Sequence, residues 1–156
     1  MKDFISYHQL HELDTESVGI VQQATEALAL SYSPYSAFQV GTAILLTTGA
    51  IVRGANQENA AYPSCMCAER VALYTMSMQY PKAIIKKMAI VARSKNQQDL
   101  VPATACGACR QVMLEYEERQ AIDYEVIMLV ADRQWIIAPS AGSLLPFHFT
   151  GRNLTR

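Results

Sequence analysis

The sequence lacks an excess of charge of either sign. Its 156 residues include 13 Lys and Arg against 14 Asp and Glu, giving a net charge of −1, and only 17% are charged. Proteins that bind nucleic acid present a surplus of basic side chains to the phosphates, so this balance disfavours a nucleic-acid binder. A chain that is 51% hydrophobic does not belong to the disordered class. With so little charge, we also expect part of its surface to contact another subunit.

The sequence also has no long apolar run. Its first residues contain no hydrophobic region typical of a signal peptide, and no run approaches the roughly 18 apolar residues that a membrane helix needs. We therefore expect a cytoplasmic protein whose thiols stay reduced. The length, together with the lack of internal repeats and of a linker, predicts one domain over residues 1–156.

Hydrophobic periodicity and turn residues predict an α/β fold. Strands are expected at residues 38–46, 51–54, 88–92, 126–130 and 135–138, and helices at 15–30, 64–78 and from 106 onward. Ser64 is the expected N-cap of the second helix, and the segment before residue 15 is expected to be loosely held. The unit over residues 88–130 is long enough for a parallel crossover. The economical arrangement is a single mixed β-sheet of about five strands sandwiched by helices.

Three cysteines have the spacing of a metal site. Cys106 and Cys109 lie three residues apart at a predicted helix start, and Cys67 lies in the first turn of another helix. Helix N-termini lower the pKa of a thiol, and thiolates are ligands that zinc prefers. Three protein ligands leave one position for water, as in catalytic zinc sites. Glu69, two residues after Cys67, is placed to move a proton between that water and a substrate nitrogen.

Cys65 leaves other interpretations open. A fourth thiol could close a structural zinc site of four cysteines and make the chain a non-catalytic, zinc-stabilised module. Ligands two residues apart on a helical turn diverge by about 200°, which argues against this arrangement. Two disulfides are a further alternative, but only in an oxidising compartment. We interpret Cys65 as a small packing residue.

Five segments together resemble the homotetrameric zinc-dependent cytidine deaminases, within the cytidine/deoxycytidylate deaminase superfamily. They are SPYSAFQVG at residues 33–41, NQENA at 56–60, CAER at 67–70, CGACRQ at 106–111 and LLPFHF at 144–149. The segments occur in the family's order, so the resemblance covers most of the chain. The pair Cys-x-Glu and Cys-x-x-Cys is also the signature of zinc deaminases. The resemblance implies a cytidine deaminase-like fold.

The resemblance implies a reaction as well. The expected activity is hydrolytic deamination of cytidine, and of 2′-deoxycytidine, to the uracil nucleoside and ammonia in pyrimidine salvage. By resemblance, Cys67, Cys106 and Cys109 hold one Zn²⁺ per subunit and Glu69 is the catalytic proton carrier. Arg70 resembles an arginine that donates hydrogen bonds to the ligand sulfurs and offsets the charge of three thiolates.

Further residues match substrate-binding positions of the family. Asn56 and Glu58 resemble its ribose contacts, and Phe38 resembles the aromatic residue beside the pyrimidine. Ala68 falls at a further substrate-binding position. Phe149 resembles a base-stacking residue supplied by a neighbouring subunit, which implies a homotetramer with shared active sites.

Tyr35 and Tyr62 match positions near subunit boundaries of the family. The expected partners are therefore a small nucleoside and sister subunits, with no nucleic acid and no membrane.

The sequence departs from the family at several points. Cys65 and Met66 precede the metal-site cysteine, Ala105 replaces a usual proline, and Ala37 replaces a commonly polar residue. The segment 93–104 is longer than typical and could alter the rim of the pocket. These departures leave open a deaminase for another small aminopyrimidine, such as blasticidin S. A polynucleotide deaminase is disfavoured, since no basic stretch would follow a backbone.

Overall fold

The computed structural model describes residues 4–154 and contains a mixed six-stranded sheet in the order β1-β6-β5-β4-β2-β3. The strands are β1 (Ile5–Tyr7), β2 (Phe38–Leu46), β3 (Ile51–Ala55), β4 (Ile85–Ser94), β5 (Glu125–Leu129) and β6 (Trp135–Ala138). The helices are α1 (Thr15–Ala27), α2 (Ala68–Gln79) and α3 (Gly107–Gln120). None of the helices within residues 4–154 is long and apolar enough to cross a membrane.

The predicted α/β architecture is confirmed. β2 and β3 form the expected antiparallel hairpin, and β4 and β5 pair in parallel across the crossover that contains α3. The sixth strand is β1, which pairs antiparallel with β6 at the edge of the sheet. The expectation of a loosely held segment before residue 15 was therefore wrong for β1. This strand has three residues, and its mostly exposed side chains give no hydrophobic alternation to detect.

One face of the sheet is covered by α1. Asp14 caps this helix by accepting a hydrogen bond from the Ser17 N–H at 2.9 Å. The buried Lys87 of β4 donates to Asp14 at 3.1 Å and to the Ser17 hydroxyl at 2.9 Å, and it pairs with Glu125 of β5 at 2.9 Å. These contacts fix the start of α1 to two central strands. Behind them, Ile20 and Ala24 of α1 pack in an apolar core with Ala89 of β4 and Ile127 of β5.

The opposite face carries α2 and α3. Gly54 of β3 allows α2 to approach closely, because a Cβ added there would lie 2.6 Å from the Ala68 carbonyl oxygen and 2.5 Å from the Ala72 nitrogen. The predicted helix start at Ser64 was wrong, since α2 begins at Ala68.

Local geometry explains the later start of α2. A short 3-10 turn over Tyr62–Ser64 contains Pro63, and Met66 then forms a β-bridge with Gln57. The chain therefore runs extended just before Cys67, and helical hydrogen bonding begins only after it.

Candidate metal centre and active site

Two helix N-termini bring three cysteines together. Cys67 is the N-cap residue of α2, Cys106 is the N-cap residue of α3, and Cys109 lies buried in the first turn of α3. Their sulfur atoms all lie within 4.8 Å of one another, and the Sγ atoms of Cys67 and Cys106 are 4.0 Å apart. The unpaired N–H groups and the dipole of each helix start favour thiolates at this point.

The donor set fits zinc. Zinc–sulfur bonds of about 2.3 Å in a tetrahedron place neighbouring sulfurs roughly 3.8 Å apart, close to the 4.0 Å between Cys67 and Cys106. Thiolates are soft ligands, which suit zinc better than magnesium or calcium. Within residues 4–154 the cluster has three ligands, which leaves the fourth tetrahedral position for a non-protein ligand, as in a catalytic zinc site.

The hydrogen bonds and charges around Cys67 favour its thiolate form. A hydrogen bond from Cys109 is the largest cause that lowers the pKa of Cys67, to about 5, and Arg70 lowers it further. The Arg70 Nη2 lies 3.8 Å from Cys67 Sγ, as expected for an arginine that offsets the charge of the ligands. The pKa of Cys109 is raised in return, chiefly because its proton is shared with Cys67.

Glu69 is a buried carboxyl group beside this centre. It lies in the first turn of α2, with 4% of its surface exposed, and lines a cavity together with Cys67 and Cys106. Desolvation by burial raises the pKa of Glu69 to about 7, and the negative charge of Cys67 acts in the same direction. A carboxyl group with such a pKa can both accept and donate a proton near neutral pH.

The cavity next to the cysteines has a volume of about 290 Å³. Of the predicted site residues, Phe38, Asn56, Glu58, Cys67, Glu69 and Cys106 line it. The other lining residues include Val40, Cys65, Ile90, Ala103 and Thr104. The end of the segment 93–104 thus lies at the rim of the cavity, and whether the length of this segment alters the rim stays a prediction.

Asn56 is held rigidly at the cavity wall. Its Oδ1 accepts hydrogen bonds from the Ser31 hydroxyl at 2.6 Å and from the Val40 N–H at 2.8 Å. Its Nδ2 donates to the Phe38 carbonyl oxygen at 2.9 Å. Because an amide group has two N–H donors, one donor of Asn56 remains for a ligand.

Glu58 is also held in place, by the segment before β2. The Tyr35 and Ser36 N–H groups donate to its Oε2 at 2.9 and 3.2 Å, and the Ser36 hydroxyl donates to Oε1. The Ser36 hydrogen bond is the largest cause that lowers the pKa of Glu58, so this carboxyl is ionised at neutral pH. Ser36 was not among the predicted site residues, because a serine after Pro-Tyr is common in turns and its partner lies 22 residues away.

Two predicted substrate-binding residues do not line the cavity. Ala68 is fully buried where α2 packs against Gly54, so its side chain is not available to a ligand. Phe149 is 56% exposed and lies outside the residues that line the cavity of its own chain. Their roles in substrate binding stay predictions.

The C-terminal segment that carries Phe149 is fastened to α3. Gln111 donates to the Phe149 carbonyl oxygen at 2.7 Å, and Arg110 Nη1 donates to the Leu144 carbonyl oxygen at 3.3 Å. The buried carboxylate of Glu117 accepts hydrogen bonds from the N–H groups of Ala141 and Gly142 at 2.7 and 2.9 Å. The helix that holds two of the cysteines therefore also positions this segment.

Cys65 does not belong to the metal cluster. In the part of the chain that the structure describes, the cluster consists of Cys67, Cys106 and Cys109. Cys65 is partly exposed, and its Sγ accepts a hydrogen bond from the Asn59 N–H at 3.2 Å. The expectation that Cys65 and Cys67 point apart because they lie on one helical turn was wrong, since residues 65–67 precede α2. Cys65 is also a hydrogen-bonded rim residue rather than a buried packing residue.

The fold and the three-cysteine centre with its buried carboxylate define a zinc-dependent hydrolytic deaminase. In agreement, the sequence matches the family described as "Cytidine and deoxycytidylate deaminase zinc-binding region" over residues 15–124, more than half of the chain. The chain belongs to the cytidine and deoxycytidylate deaminase family.

Individual relatives and solved structures that the chain resembles are named cytidine deaminases. The chain is 43% identical over 96 residues to a cytidine deaminase of Halalkalibacterium halodurans, a match that covers 62% of this chain and 68% of that protein. It is 32% identical over 134 residues to a probable cytidine deaminase of Dictyostelium discoideum, covering 86% and 84% of the two chains. The crystal structure of a Burkholderia pseudomallei cytidine deaminase is similar with a TM-score of 0.70 and 32% identity, over 88% of this chain and 100% of that one.

Proposed function

We propose that this enzyme catalyses the hydrolytic deamination of cytidine, and of 2′-deoxycytidine, to the uracil nucleoside and ammonia. The observation that carries the proposal is the position of Glu69, a buried carboxyl group that shares a cavity of about 290 Å³ with the metal-site cysteines. The names of the relatives support the choice of cytidine.

The side chains that reach the cavity suggest how the reaction proceeds. Bound zinc supplies a Lewis acid that lowers the pKa of water to about 7. Glu69 accepts a proton from the attacking water and delivers it to N3 of the pyrimidine while C4 is attacked. Glu69 then takes the second proton from the hydroxyl group added at C4 and passes it to the departing amino group, so that water and the nucleoside are converted to ammonia and the uracil product. The pKa of Glu69, raised to about 7, suits both directions of transfer.

The remaining cavity residues would orient the nucleoside. Phe38 would pack against the pyrimidine ring, and it is 37% exposed at the cavity mouth. Asn56 has a spare N–H donor and Glu58 a spare acceptor, a pair that suits the hydroxyl groups of a ribose. Ala68 would contribute through its backbone, because its side chain is buried.

The proposed assembly is a homotetramer in which Phe149 completes the site of a neighbouring subunit. Two observations support it: Phe149 does not line its own cavity, and the segment 144–149 is held on α3 with Phe147 94% exposed. Tyr35 and Tyr62 are also exposed, and their rings meet edge to face with centroids 6.1 Å apart. We further propose that residues 1–156 form one domain and that the enzyme serves pyrimidine salvage in the cytoplasm.

The activity is tested by ammonia release from a nucleoside panel with zinc-loaded protein. Cytidine and 2′-deoxycytidine should be the preferred substrates over blasticidin S. Glu69→Gln should keep one zinc per chain and lose about 10²–10⁴-fold in kcat, because an amide cannot carry the proton. No ammonia from either nucleoside, or near-normal turnover by Glu69→Gln, contradicts the proposal.

The shared site is tested by mixing two impaired variants, Phe149→Ala and Glu69→Ala. A working site needs Glu69 from one chain and Phe149 from its neighbour, so random mixing should restore about a quarter of the sites. Mass spectrometry of the mixed assembly confirms that the subunits have exchanged. Exchange without recovery of activity contradicts the sharing of sites.

A further inference from the structure

The Ser36 hydroxyl connects two residues of the cavity wall. Its Oγ accepts a hydrogen bond from the Phe38 N–H at 3.0 Å and donates its own proton to Glu58 Oε1. Because the Phe38 N–H occupies one lone pair, the single hydroxyl proton is directed toward the carboxylate. The start of β2 and the loop after β3 are thereby joined through one side chain.

The hydrogen bonds to the Glu58 carboxylate leave one of its lone-pair sites available to a ligand. Its Oε2 accepts two N–H groups, from Tyr35 and Ser36, and Oε1 accepts only the Ser36 hydroxyl. A carboxylate has about four lone-pair sites, so the remaining site lies on Oε1. Glu58 lines the cavity, and a ligand hydroxyl could reach this site.

The backbone around Ser36 is held in a conformation that keeps this geometry. Ala37 has a φ of 53°, in the left-handed region that alanine rarely adopts. Its N–H donates to the Ser33 carbonyl oxygen at 3.1 Å, and its carbonyl oxygen accepts from the Lys95 N–H at 2.8 Å. Such strain persists only where surrounding contacts impose it, and here it places the Ser36 hydroxyl between Phe38 and Glu58.

We propose that Ser36 is a positioning residue that aims the Glu58 carboxylate at a ribose hydroxyl, and thereby sets a preference for nucleosides that carry this hydroxyl. The inference rests on the proposed nucleoside deaminase activity and deepens it. Glutamate on an exposed loop would otherwise sample several rotamers, and holding it in one lowers the entropic cost of binding. A site built to pair with a hydroxyl discriminates against analogues that lack it, because its charged acceptor is then left unpaired.

The test compares cytidine with 2′,3′-dideoxycytidine, which lacks both ribose hydroxyls. Ser36→Ala should lower kcat/KM for cytidine about tenfold, mainly by raising KM. The value of kcat/KM for dideoxycytidine should change by less than about twofold. Ser36→Thr, which keeps the hydroxyl, should restore most of the preference. Ser64→Ala is the matched control, since Ser64 is an exposed serine whose hydroxyl makes no hydrogen bond within residues 4–154.

Isothermal titration calorimetry with the uracil nucleosides measures binding without turnover. The Kd for uridine should rise about tenfold in Ser36→Ala, while the Kd for 2′,3′-dideoxyuridine stays the same. A double-mutant cycle with Glu58→Gln should be strongly non-additive, since Ser36 acts through Glu58.

The positioning role is overturned if Ser36→Ala weakens kcat/KM or Kd equally for the hydroxylated and the dideoxy nucleosides. Additive effects of Ser36→Ala and Glu58→Gln in the double-mutant cycle overturn it as well. A wild-type enzyme that releases no ammonia from cytidine overturns the proposed reaction instead. In that case the two Kd values still decide the role of Ser36, so the two failures are distinguishable.

Discussion

Gly54→Ala should damage the active site without touching it. Gly54 lies on β3 beneath the first turns of α2, and an added Cβ would meet the Ala68 carbonyl oxygen at 2.6 Å and the Ala72 nitrogen at 2.5 Å. Both contacts are backbone atoms, which cannot rotate aside. For the Cβ to reach an ordinary van der Waals separation of about 3.4 Å, α2 must move away from the sheet by about 0.8–0.9 Å.

The displacement should cost both stability and catalysis. Overpacking of this kind destabilises a protein by about 1–3 kcal/mol. The first turns of α2 also carry Cys67 and Glu69, whereas Cys106 and Cys109 stay on α3. A misplacement approaching 1 Å between groups that must act together can reduce the rate by about 10²-fold. We therefore expect kcat/KM for cytidine to fall by about one to two orders of magnitude and zinc affinity to decrease.

Gly41→Ala is the matched control on the opposite face of the sheet. Its Cβ would lie 2.1 Å from the Ala24 carbonyl oxygen, so it displaces α1, which carries none of the candidate site residues. Urea unfolding, zinc stoichiometry and steady-state deamination are measured for both variants under conditions where each is folded. The reasoning is refuted if Gly54→Ala keeps normal kcat/KM, or if folded Gly41→Ala loses as much activity as Gly54→Ala.

Three further substitutions test separate parts of the structure. Cys65→Ala should keep one zinc per chain by metal analysis, since Cys65 faces Asn59 rather than the metal cluster, and loss of zinc would contradict this. Ala121→Gly should stabilise the protein by about 1 kcal/mol in urea unfolding, because Ala121 ends α3 at a φ of 55°, where glycine is unstrained; no gain would contradict the strain. Burial alone would raise the pKa of Asp14, but Ser17 and Lys87 outweigh it and lower the value to about 2. The stability that Asp14 adds is thus present above its ordinary pKa and is lost as pH falls toward 2. At pH 7, Asp14→Ala should lower the free energy of unfolding by about 1 kcal/mol, a value that allows for the 52% exposure of the Asp14 side chain. This loss should shrink by about half at pH 3, and a loss that does not depend on pH would contradict the linkage.

The parts that could be predicted from the sequence have local signals. β2 and β6 are found at the predicted residues, because apolar runs end at turn residues on both sides. Cys67, Cys106 and Cys109 could be grouped because each lies at a helix start, where thiolates are favoured. The structure brings these three sulfurs together, within 4.8 Å of one another.

The parts that could not be predicted depend on contacts between distant residues. β1 exists because β6 offers it hydrogen bonds at the edge of the sheet, and its own three residues do not specify a strand. The start of α2 is delayed by the bridge between Gln57 and Met66, which helix-capping rules do not include. The contact of Ser36 with Glu58 is of the same kind, because only the packing of β2 against β3 brings these segments together.

The direction of the strands explains why the site forms at one end of the sheet. β3 and β4 both run antiparallel to β2, so their carboxyl ends lie beside Phe38, the first residue of β2. The chain leaves β3 at the loop that carries Asn56 and Glu58 and then enters α2, and it leaves β4 to enter α3. Each helix therefore starts at this end of the sheet, with its N-terminal dipole and its cysteines turned toward the cavity. The loop with Asn56 and Glu58, the ring of Phe38 and the metal centre converge because of strand order, and this is why a small shift of α2 alone should uncouple them.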